Sequence, residues 1–101
     1  MIYKLLVPGP IEDVEQVRVL EWHGGEGQAF AEGELVVELE THKALVEVRA
    51  GQAGILRSVI SQEGDWVDIG SPLALLSDSA DEQLPDGLDE LAEMALSFEV
   101  S

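Results

Sequence analysis

A chain of 101 residues has room for one domain with a modest core, and only 5% of it is aromatic, so the core must be mainly aliphatic. The absence of cysteine excludes a disulfide framework, a thiolate metal site and a cysteine nucleophile. With 21 acidic residues, 5 basic residues and a formal net charge of −16, the chain would be repelled by nucleic acids and by anionic membranes. We therefore expect no nucleic-acid partner and no membrane partner.

The N-terminal segment MIYKLLVPGPIED is not typical of a signal peptide, because acidic residues follow a very short apolar run. No apolar run in the sequence approaches the length that spans a membrane. We expect a cytoplasmic protein, or one of the mitochondrial matrix in a eukaryote, that is a monomer in isolation.

The body of the chain contains an internal repeat. The segment EGQAFAEGELVVEL, which begins at Glu26, matches EGDWVDIGSPLALL, which begins at Glu63, at an offset of 37 residues. Both segments have glycines at the same two places, and recurring glycines are typical of tight turns with positive φ. Each copy predicts a strand, a turn, a short strand, a glycine turn and a strand. Two such halves predict two β-sheets packed face to face with quasi-two-fold symmetry.

The stretch ELETHKALVEV at residues 38–48 predicts a β-hairpin with His42 and Lys43 at its tip. In this register Leu39 opposes Val46, and apolar side chains fill one face of the pair while mostly polar ones fill the other. Further along, Val37 would oppose Val48, Leu35 would oppose Ala50 and Val36 would oppose Arg49. Two-residue turns favour glycine and asparagine, since both residues adopt unusual φ angles. A lysine at such a place is either an ordinary solvated side chain or one that the protein uses.

The C-terminal segment, residues 78–101, has a different composition from the rest. It contains eight acidic residues and no lysine or arginine, so we place a boundary near Ser77. The domain division is then 1–77 for a folded domain and 78–101 for an acidic linker with a short helix. Four apolar residues at helical spacing predict that helix, and their stripe predicts that it docks on the domain: Leu88, Leu91, Ala95 and Phe98.

Other candidate sites are weaker. His23 lies beside two glycines, but the chain has only two histidines, so we interpret His23 as a loop residue and expect no metal site. The segment HGGEG lacks the lysine and the helix of a phosphate-binding loop. No arrangement of nucleophile, base and acid suggests catalysis, so we expect a non-catalytic protein.

Residues 1–77 resemble the lipoyl domains of the biotinyl/lipoyl-attachment family. The resemblance is carried by EWHGGEGQAFAEGELVVELETHKALVEVRAGQAGIL together with EGDWVDIGSPLALL. It implies an all-β fold, a flattened β-barrel or sandwich of two four-stranded antiparallel sheets. It also implies that Lys43 carries lipoic acid in amide linkage, with biotin as the alternative.

The resemblance extends to single residues around that lysine. Glu40 and Gly27 match positions linked in the family with recognition by the modifying enzyme, and Ala44 matches the residue after the lysine. His42 stands where the family usually has aspartate, which leaves open which enzyme or partner reads the turn. Gly51 stands where proline is common. Biotin domains usually have methionine on both sides of the lysine, so His42 and Ala44 favour lipoate.

By this resemblance the chain is a carrier domain for acyl groups or reducing equivalents in a 2-oxoacid dehydrogenase-type system, either free-standing or part of a larger acyltransferase. The implied partners are a lipoyl-attaching enzyme, a thiamine-dependent 2-oxoacid decarboxylase and dihydrolipoyl dehydrogenase. Two alternatives stay open: a biotin carboxyl carrier domain, and an unmodified adaptor that binds a partner through its tail.

Overall fold

The structure, a computed structural model, describes residues 1–101 and contains ten β-strands and no helix. The strands are β1 (Ile2–Leu6), β2 (Gln16–Trp22), β3 (Ala29–Phe30), β4 (Leu35–Glu40), β5 (Leu45–Ala50), β6 (Gly54–Val59), β7 (Trp66–Asp68), β8 (Pro72–Ser77), β9 (Ala92–Glu93) and β10 (Leu96–Val100). The structure therefore contains no helix of the length and hydropathy needed to cross a membrane.

The strands form two sheets, as the repeat predicted. One has the order β3-β6-β8-β1-β9 and the other the order β7-β2-β4-β5-β10. Among strands β1 to β8, those at the same place in the two orders correspond under the quasi-two-fold symmetry, so β4 corresponds to β8 and β5 to β1. The expected all-β, two-sheet architecture is confirmed. Each sheet has five strands instead of the expected four, because the C-terminal segment adds one strand to each.

The turn glycines adopt the backbone conformation that the repeat predicted. Gly27 and Gly64 have φ angles of 95° and 94°, and Gly33 and Gly70 have φ angles of 90° and 88°. A side chain would be strained at these angles, which explains why glycine recurs at both turns of each half. The near-identity of the paired angles places the following strands equivalently in the two halves.

The core lies between the sheets and is mainly aliphatic. Strand β8 is buried from Leu73 to Ser77 because it is the central strand of its sheet. Phe30 is the one aromatic side chain among the sixteen buried residues of the core cluster. Fully burying one large aliphatic or aromatic side chain contributes about 1.5–3 kcal/mol, so this cluster is a main source of the stability of the domain.

The predicted hairpin register is correct near the tip and wrong at its base. Leu39 pairs with Val46 and Val37 with Val48, as expected. Leu35, however, pairs with Arg49 instead of Ala50, because Val36 forms a bulge that inserts one extra residue into β4. The bulge turns Val36 into the core, where it is fully buried, instead of leaving it on the polar face.

The predicted C-terminal helix is wrong. The segment lies on the domain, as expected, but in extended form. Strand β9 runs parallel to β1, and the Met94 amide then donates to the Lys4 carbonyl at 2.8 Å while the Met94 side chain enters the core. Strand β10 pairs antiparallel with β5 from Leu96 to Val100. The edges of β1 and β5 offer unpaired backbone groups, and pairing with them satisfies the segment better than a short isolated helix.

Gly51 is the residue that lets the C-terminal segment cross from one sheet to the other. Its amide donates to the Ala95 carbonyl at 2.8 Å. A Cβ atom at Gly51 would lie 2.7 Å from the Ala95 carbonyl carbon, closer than folded proteins allow. Proline would in addition lack the donated hydrogen. Glycine in place of the proline that is common in the resembled family is therefore coupled to this segment.

Candidate functional site

Lys43 lies in the turn between β4 and β5, and its side chain is 52% exposed. Its Nζ atom is 3.7 Å from a carboxylate oxygen of Asp13, which is itself 75% exposed. An ion pair between two exposed groups contributes little and is screened by salt, so the amine stays accessible. The other lysine, Lys4, differs, since its Nζ donates to the Leu88 carbonyl at 3.3 Å under the C-terminal segment.

The turn itself is held by Thr41, a residue that the sequence analysis did not single out. Its side-chain oxygen accepts hydrogen bonds from the Lys43 amide at 3.1 Å and the Ala44 amide at 2.9 Å. The Thr41 amide donates to the Ala44 carbonyl at 2.8 Å, which closes the hairpin. A threonine two residues before a turn amide is the signal that could have revealed this arrangement.

Neither turn residue has the unusual backbone that the sequence analysis expected. Asp13 is the one non-glycine residue with positive φ, so His42 and Lys43 both have ordinary negative φ. The hydroxyl of Thr41 replaces the backbone geometry that an Asn-Gly turn would supply. The lysine is therefore presented without strain, and the expectation of unusual φ angles in this turn was wrong.

Three of the other predicted site residues lie in the same hairpin, and one does not. His42 is exposed and Ala44 half-buried on either side of Lys43. Glu40 ends β4, with an oxygen 2.7 Å from Arg18 Nε, although that N–H has no well-aligned acceptor, so the contact is an ion pair only. Gly27 lies before β3 in the other sheet, where its amide donates to the Leu56 carbonyl at 2.7 Å.

An open cleft of about 340 Å³ lies beside Lys43. Its residues come from three parts of the chain: the β1–β2 connection, the hairpin and strand β10. They are Pro10, Ile11, Glu12, Val14, Thr41, Lys43, Ala44, Phe98 and Val100. Most of the lining is apolar, and the only cation in it is Lys43. The cleft therefore suits an uncharged, apolar chain better than a phosphate or a sugar.

His23 lies in a cluster that the sequence analysis missed. Its Nε2 is 2.6 Å from a Glu38 oxygen, and the ligand atoms of Glu21, His23 and Glu38 all lie within 4.8 Å of one another. Glu21 lies in β2, His23 directly follows β2 and Glu38 lies in the neighbouring strand β4, so only the strand pairing reveals the cluster. The group forms a polar pair and offers three ligand atoms to a divalent cation, and none of its residues lines the Lys43 cleft.

The two-sheet fold with an accessible lysine on a hairpin is the arrangement expected of a domain that carries a covalently attached cofactor. The sequence profile described as "Biotin-requiring enzyme", which covers biotin and lipoyl attachment domains, matches residues 4–76. The chain therefore belongs to the biotin/lipoyl attachment family. Domains of this family are carriers and are not themselves catalytic.

The chain is similar to segments of larger proteins of 2-oxoacid dehydrogenase complexes. It is 35% identical over 74 residues, 73% of this chain, to the dihydrolipoyllysine-residue succinyltransferase component of the 2-oxoglutarate dehydrogenase complex of Staphylococcus saprophyticus. The component of the same name from Escherichia coli is 41% identical over 63 residues, 62% of this chain. The mitochondrial pyruvate dehydrogenase protein X component of Mus musculus is 32% identical over 80 residues, 78% of this chain. These matches span 18%, 16% and 16% of the three relatives.

Proposed function

We propose that the chain is a lipoyl carrier domain in which the Lys43 amine is joined to lipoic acid by an amide bond. One observation carries the proposal: within this family's fold, Lys43 is the lysine whose amine is exposed on a fixed turn. The names of the similar proteins refer to a dihydrolipoyllysine residue, which supports lipoate over biotin. Lys4 is a poorer acceptor, because its amine is held against the Leu88 carbonyl.

The chain's own residues prepare the amine for acylation and do no further chemistry. Thr41 fixes the backbone of the turn, so the amine swings from a defined point. Acylation forms the amide bond when the deprotonated Lys43 amine attacks an activated carboxyl group and the activating group leaves. The attached dithiolane then supplies acyl transfer and disulfide–dithiol exchange, while the domain supplies position and partner recognition.

Most of the residues predicted to be recognised by the modifying enzyme lie in the hairpin that carries Lys43. Glu40, His42 and Ala44 lie within the same hairpin, and Gly27 fixes a turn in the other sheet. We propose that these residues contribute to recognition by a lipoyl-attaching enzyme. We further propose two partners that act on the arm, by which we mean the lipoyl group on Lys43. A thiamine-dependent 2-oxoacid decarboxylase would load it with an acyl group and dihydrolipoyl dehydrogenase would reoxidise it. We propose the cytoplasm or the mitochondrial matrix as the compartment. Tethering raises the concentration of the carried group at each partner site.

The two alternatives predict different products. A biotin carrier would gain biotin on the same lysine, since the family includes both cofactors. An unmodified adaptor would gain neither and would bind a partner through its tail. The adaptor has less support, because the C-terminal strands already pair with β1 and β5.

The proposal is tested by intact-mass measurement after expression with a lipoyl-attaching enzyme and lipoate, and separately with a biotin-attaching enzyme and biotin. We expect the mass of one lipoyl group in the first case and no addition in the second. The lipoylated protein should then be reductively acylated by a 2-oxoacid decarboxylase with its 2-oxoacid. Addition of biotin alone, or of neither group, would contradict the proposal.

A further inference from the structure

Strand β10 leaves part of its apolar face uncovered beside the hairpin. Phe98 pairs with Val48 and Val100 with Val46, so these two side chains lie on the face of the sheet that carries the core. Val46 and Val48 are fully buried, but Phe98 is 36% exposed and Val100 is 47% exposed. The strand therefore extends the inner face of its sheet beyond the elements that cover the core.

The uncovered face forms one wall of the cleft beside Lys43. The opposite wall comes from the β1–β2 connection and contains Pro10, Ile11 and Val14. The volume of the cleft, about 340 Å³, lies at the lower end of the roughly 300–1,000 Å³ typical of small-molecule sites. The cleft is thus large enough for a short alkyl chain with a small ring.

The Lys43 side chain points across the mouth of this cleft. Its Nζ atom contacts Asp13, which belongs to the same β1–β2 connection as the cleft wall. Acylation converts the ammonium into a neutral amide, so the attraction to the Asp13 carboxylate is lost. The attached chain would then begin at the edge of an apolar surface, with no unpaired charge of its own to keep it in water.

We propose that this cleft is a resting site for the apolar arm on Lys43, and that the C-terminal strand β10 supplies one of its walls. The inference rests on the proposed function, since it needs an acylated lysine. The chemical class of the ligand is an uncharged medium-length acyl chain that ends in a cyclic disulfide. Methylene groups suit the aliphatic wall, and sulfur makes favourable contacts with an aromatic ring such as Phe98.

The arm needs only weak affinity to occupy the cleft. Because it is tethered to Lys43, its effective concentration there is on the order of millimolar. Strand β10 lies beyond residues 4–76, the part of the chain that matches the family. This wall is therefore an addition of this chain to the domain that the family shares. The C-terminal segment would shield the dithiolane while it is not bound to a partner enzyme.

The test uses the full lipoylated chain and two measurements. Nuclear Overhauser effects should connect the methylene protons of the arm with the Phe98 ring and the Val100 methyl groups. The rate at which a water-soluble phosphine reduces the dithiolane should also be measured. The phosphine gives two electrons to the disulfide, and water supplies the two protons of the dithiol and the oxygen of the phosphine oxide. We expect reduction of the wild type to be roughly threefold slower than that of Val100→Thr, which places a hydroxyl in the apolar wall.

Glu99→Gln is the matched control, because Glu99 lies on the opposite face of the same strand. It should be reduced at the wild-type rate. Amide protection at Met94 checks that the tail stays docked in each variant. Lipoylated protein that shows no such Overhauser effects and equal reduction rates in all three forms would overturn this inference alone. A chain whose intact mass shows no lipoyl group would overturn the proposed function and this inference with it.

Discussion

The two ends of the quasi-two-fold domain are built from equivalent strands, yet only one presents a reactive side chain. At one end, β4 and β5 are joined by the closed turn that carries Lys43. At the other end, the equivalent strands β8 and β1 are paired in the same way, with Ile2 opposite Ser77, but no turn joins them. The comparison shows that strand pairing and the core alone do not present a reactive side chain. The short turn held by Thr41 is what exposes the Lys43 amine.

The two lysines of the chain lie at opposite ends of the domain, and the surroundings of their amines differ. Lys43 is on the closed turn and its amine meets one exposed carboxylate, while Lys4 is within β1 and its amine meets the backbone of residues 78–101. The C-terminal segment thus contacts Lys4 at the open end of the domain, where no turn joins β8 and β1. It leaves Lys43 accessible at the closed end, where a turn joins β4 and β5. Its two strands also extend the two sheets at the equivalent edges, although β9 is parallel to β1 and β10 is antiparallel to β5.

The largest expected effect comes from exchanging the lysines one at a time. Lys43→Arg keeps the charge but removes an amine that can be acylated at neutral pH, so we expect complete loss of lipoylation with an unchanged fold. Lys4→Arg is the control and should be lipoylated at the wild-type rate. For both variants, intact mass measures lipoylation and circular dichroism checks the fold. Loading of Lys43→Arg, or loss of loading in Lys4→Arg, would break the distinction between the two ends.

A large structural effect is expected at Gly51. Gly51→Ala places a Cβ against the backbone of Ala95, so we expect the C-terminal strands to detach, with a loss of about 1–3 kcal/mol in the free energy of unfolding. Gly25→Ala is the matched control, because nothing lies near that position. Hydrogen exchange should show faster exchange of the Met94 and Ser101 amides in Gly51→Ala only. Unchanged protection there would mean that Gly51 does not hold the tail.

A smaller effect is expected from the turn. Thr41→Ala removes the acceptor for the two turn amides and should lower the free energy of unfolding by about 1 kcal/mol. Thr41→Ser retains the hydroxyl and should restore most of the loss. Because the amine would then swing from a looser turn, lipoylation of Thr41→Ala should be slower than that of Thr41→Ser. Equal loading rates would show that the closed turn matters for stability alone.

His42 should affect recognition and leave stability almost unchanged. The side chain is exposed, so we expect His42→Asp to change the free energy of unfolding by less than about 0.5 kcal/mol. The aspartate adds a negative charge next to Lys43, within the surface that we propose a lipoyl-attaching enzyme recognises. Loading and reductive acylation rates with several ligases and decarboxylases should therefore change in rank between the two forms. The same rank order for both would reject a recognition role for His42.

The smallest effect is expected at the open end, where ion pairs replace a turn. The Met1 ammonium donates hydrogen bonds to Glu82 and Asp78, and the contact with Glu82 is the main reason that the pKa of the amine is raised. The same hydrogen bond lowers the pKa of Glu82. Any stability from the amine is present below its unfolded-state pKa and is lost as pH rises through the folded pKa. That from Glu82 is lost as pH falls through its lowered pKa.

The Met1 residue is 62% exposed and Glu82 is 25% exposed, so water and salt still screen this ion pair. Glu82→Gln should therefore lower the midpoint of thermal unfolding only slightly at neutral pH, and less in high salt. Glu12→Gln, in an exposed loop, serves as the control. A salt-independent loss as large as that of Thr41→Ala would show that the open end is as firmly held as the closed one.

Much of the fold could be predicted because apolar residues alternate along the strands and glycines mark the same turns in both halves. The bulge at Val36 was not predictable, since Val36 and Val37 are both apolar and either one could face the core. The geometry of the turn was missed because it depends on a side-chain hydroxyl of Thr41. The cluster around His23 was missed because it joins residues 15 positions apart that only strand pairing brings together.

The C-terminal segment was mispredicted because it contains two competing patterns. The stretch DELAEMAL is rich in helix-forming residues, and apolar residues at spacings of three and four support a helix. The overlapping stretch LSFEV, which begins at Leu96, alternates apolar and polar residues, as a strand does. The extended form is favoured over the helix because the segment pairs with the free edges of β1 and β5. The local sequence does not show that these edges are available. Gly51 in the place of a proline was the available signal that another backbone approaches there.

The site of modification is the most direct test of the central claim. The protein should be expressed in cells that are supplied with lipoate and biotin together, and its peptides should be mapped by tandem mass spectrometry. The account predicts one lipoyl group, on Lys43, and an unmodified Lys4. A lipoyl group on Lys4, biotin in place of lipoate, or an unmodified Lys43 in the presence of an active lipoyl-attaching enzyme would contradict it.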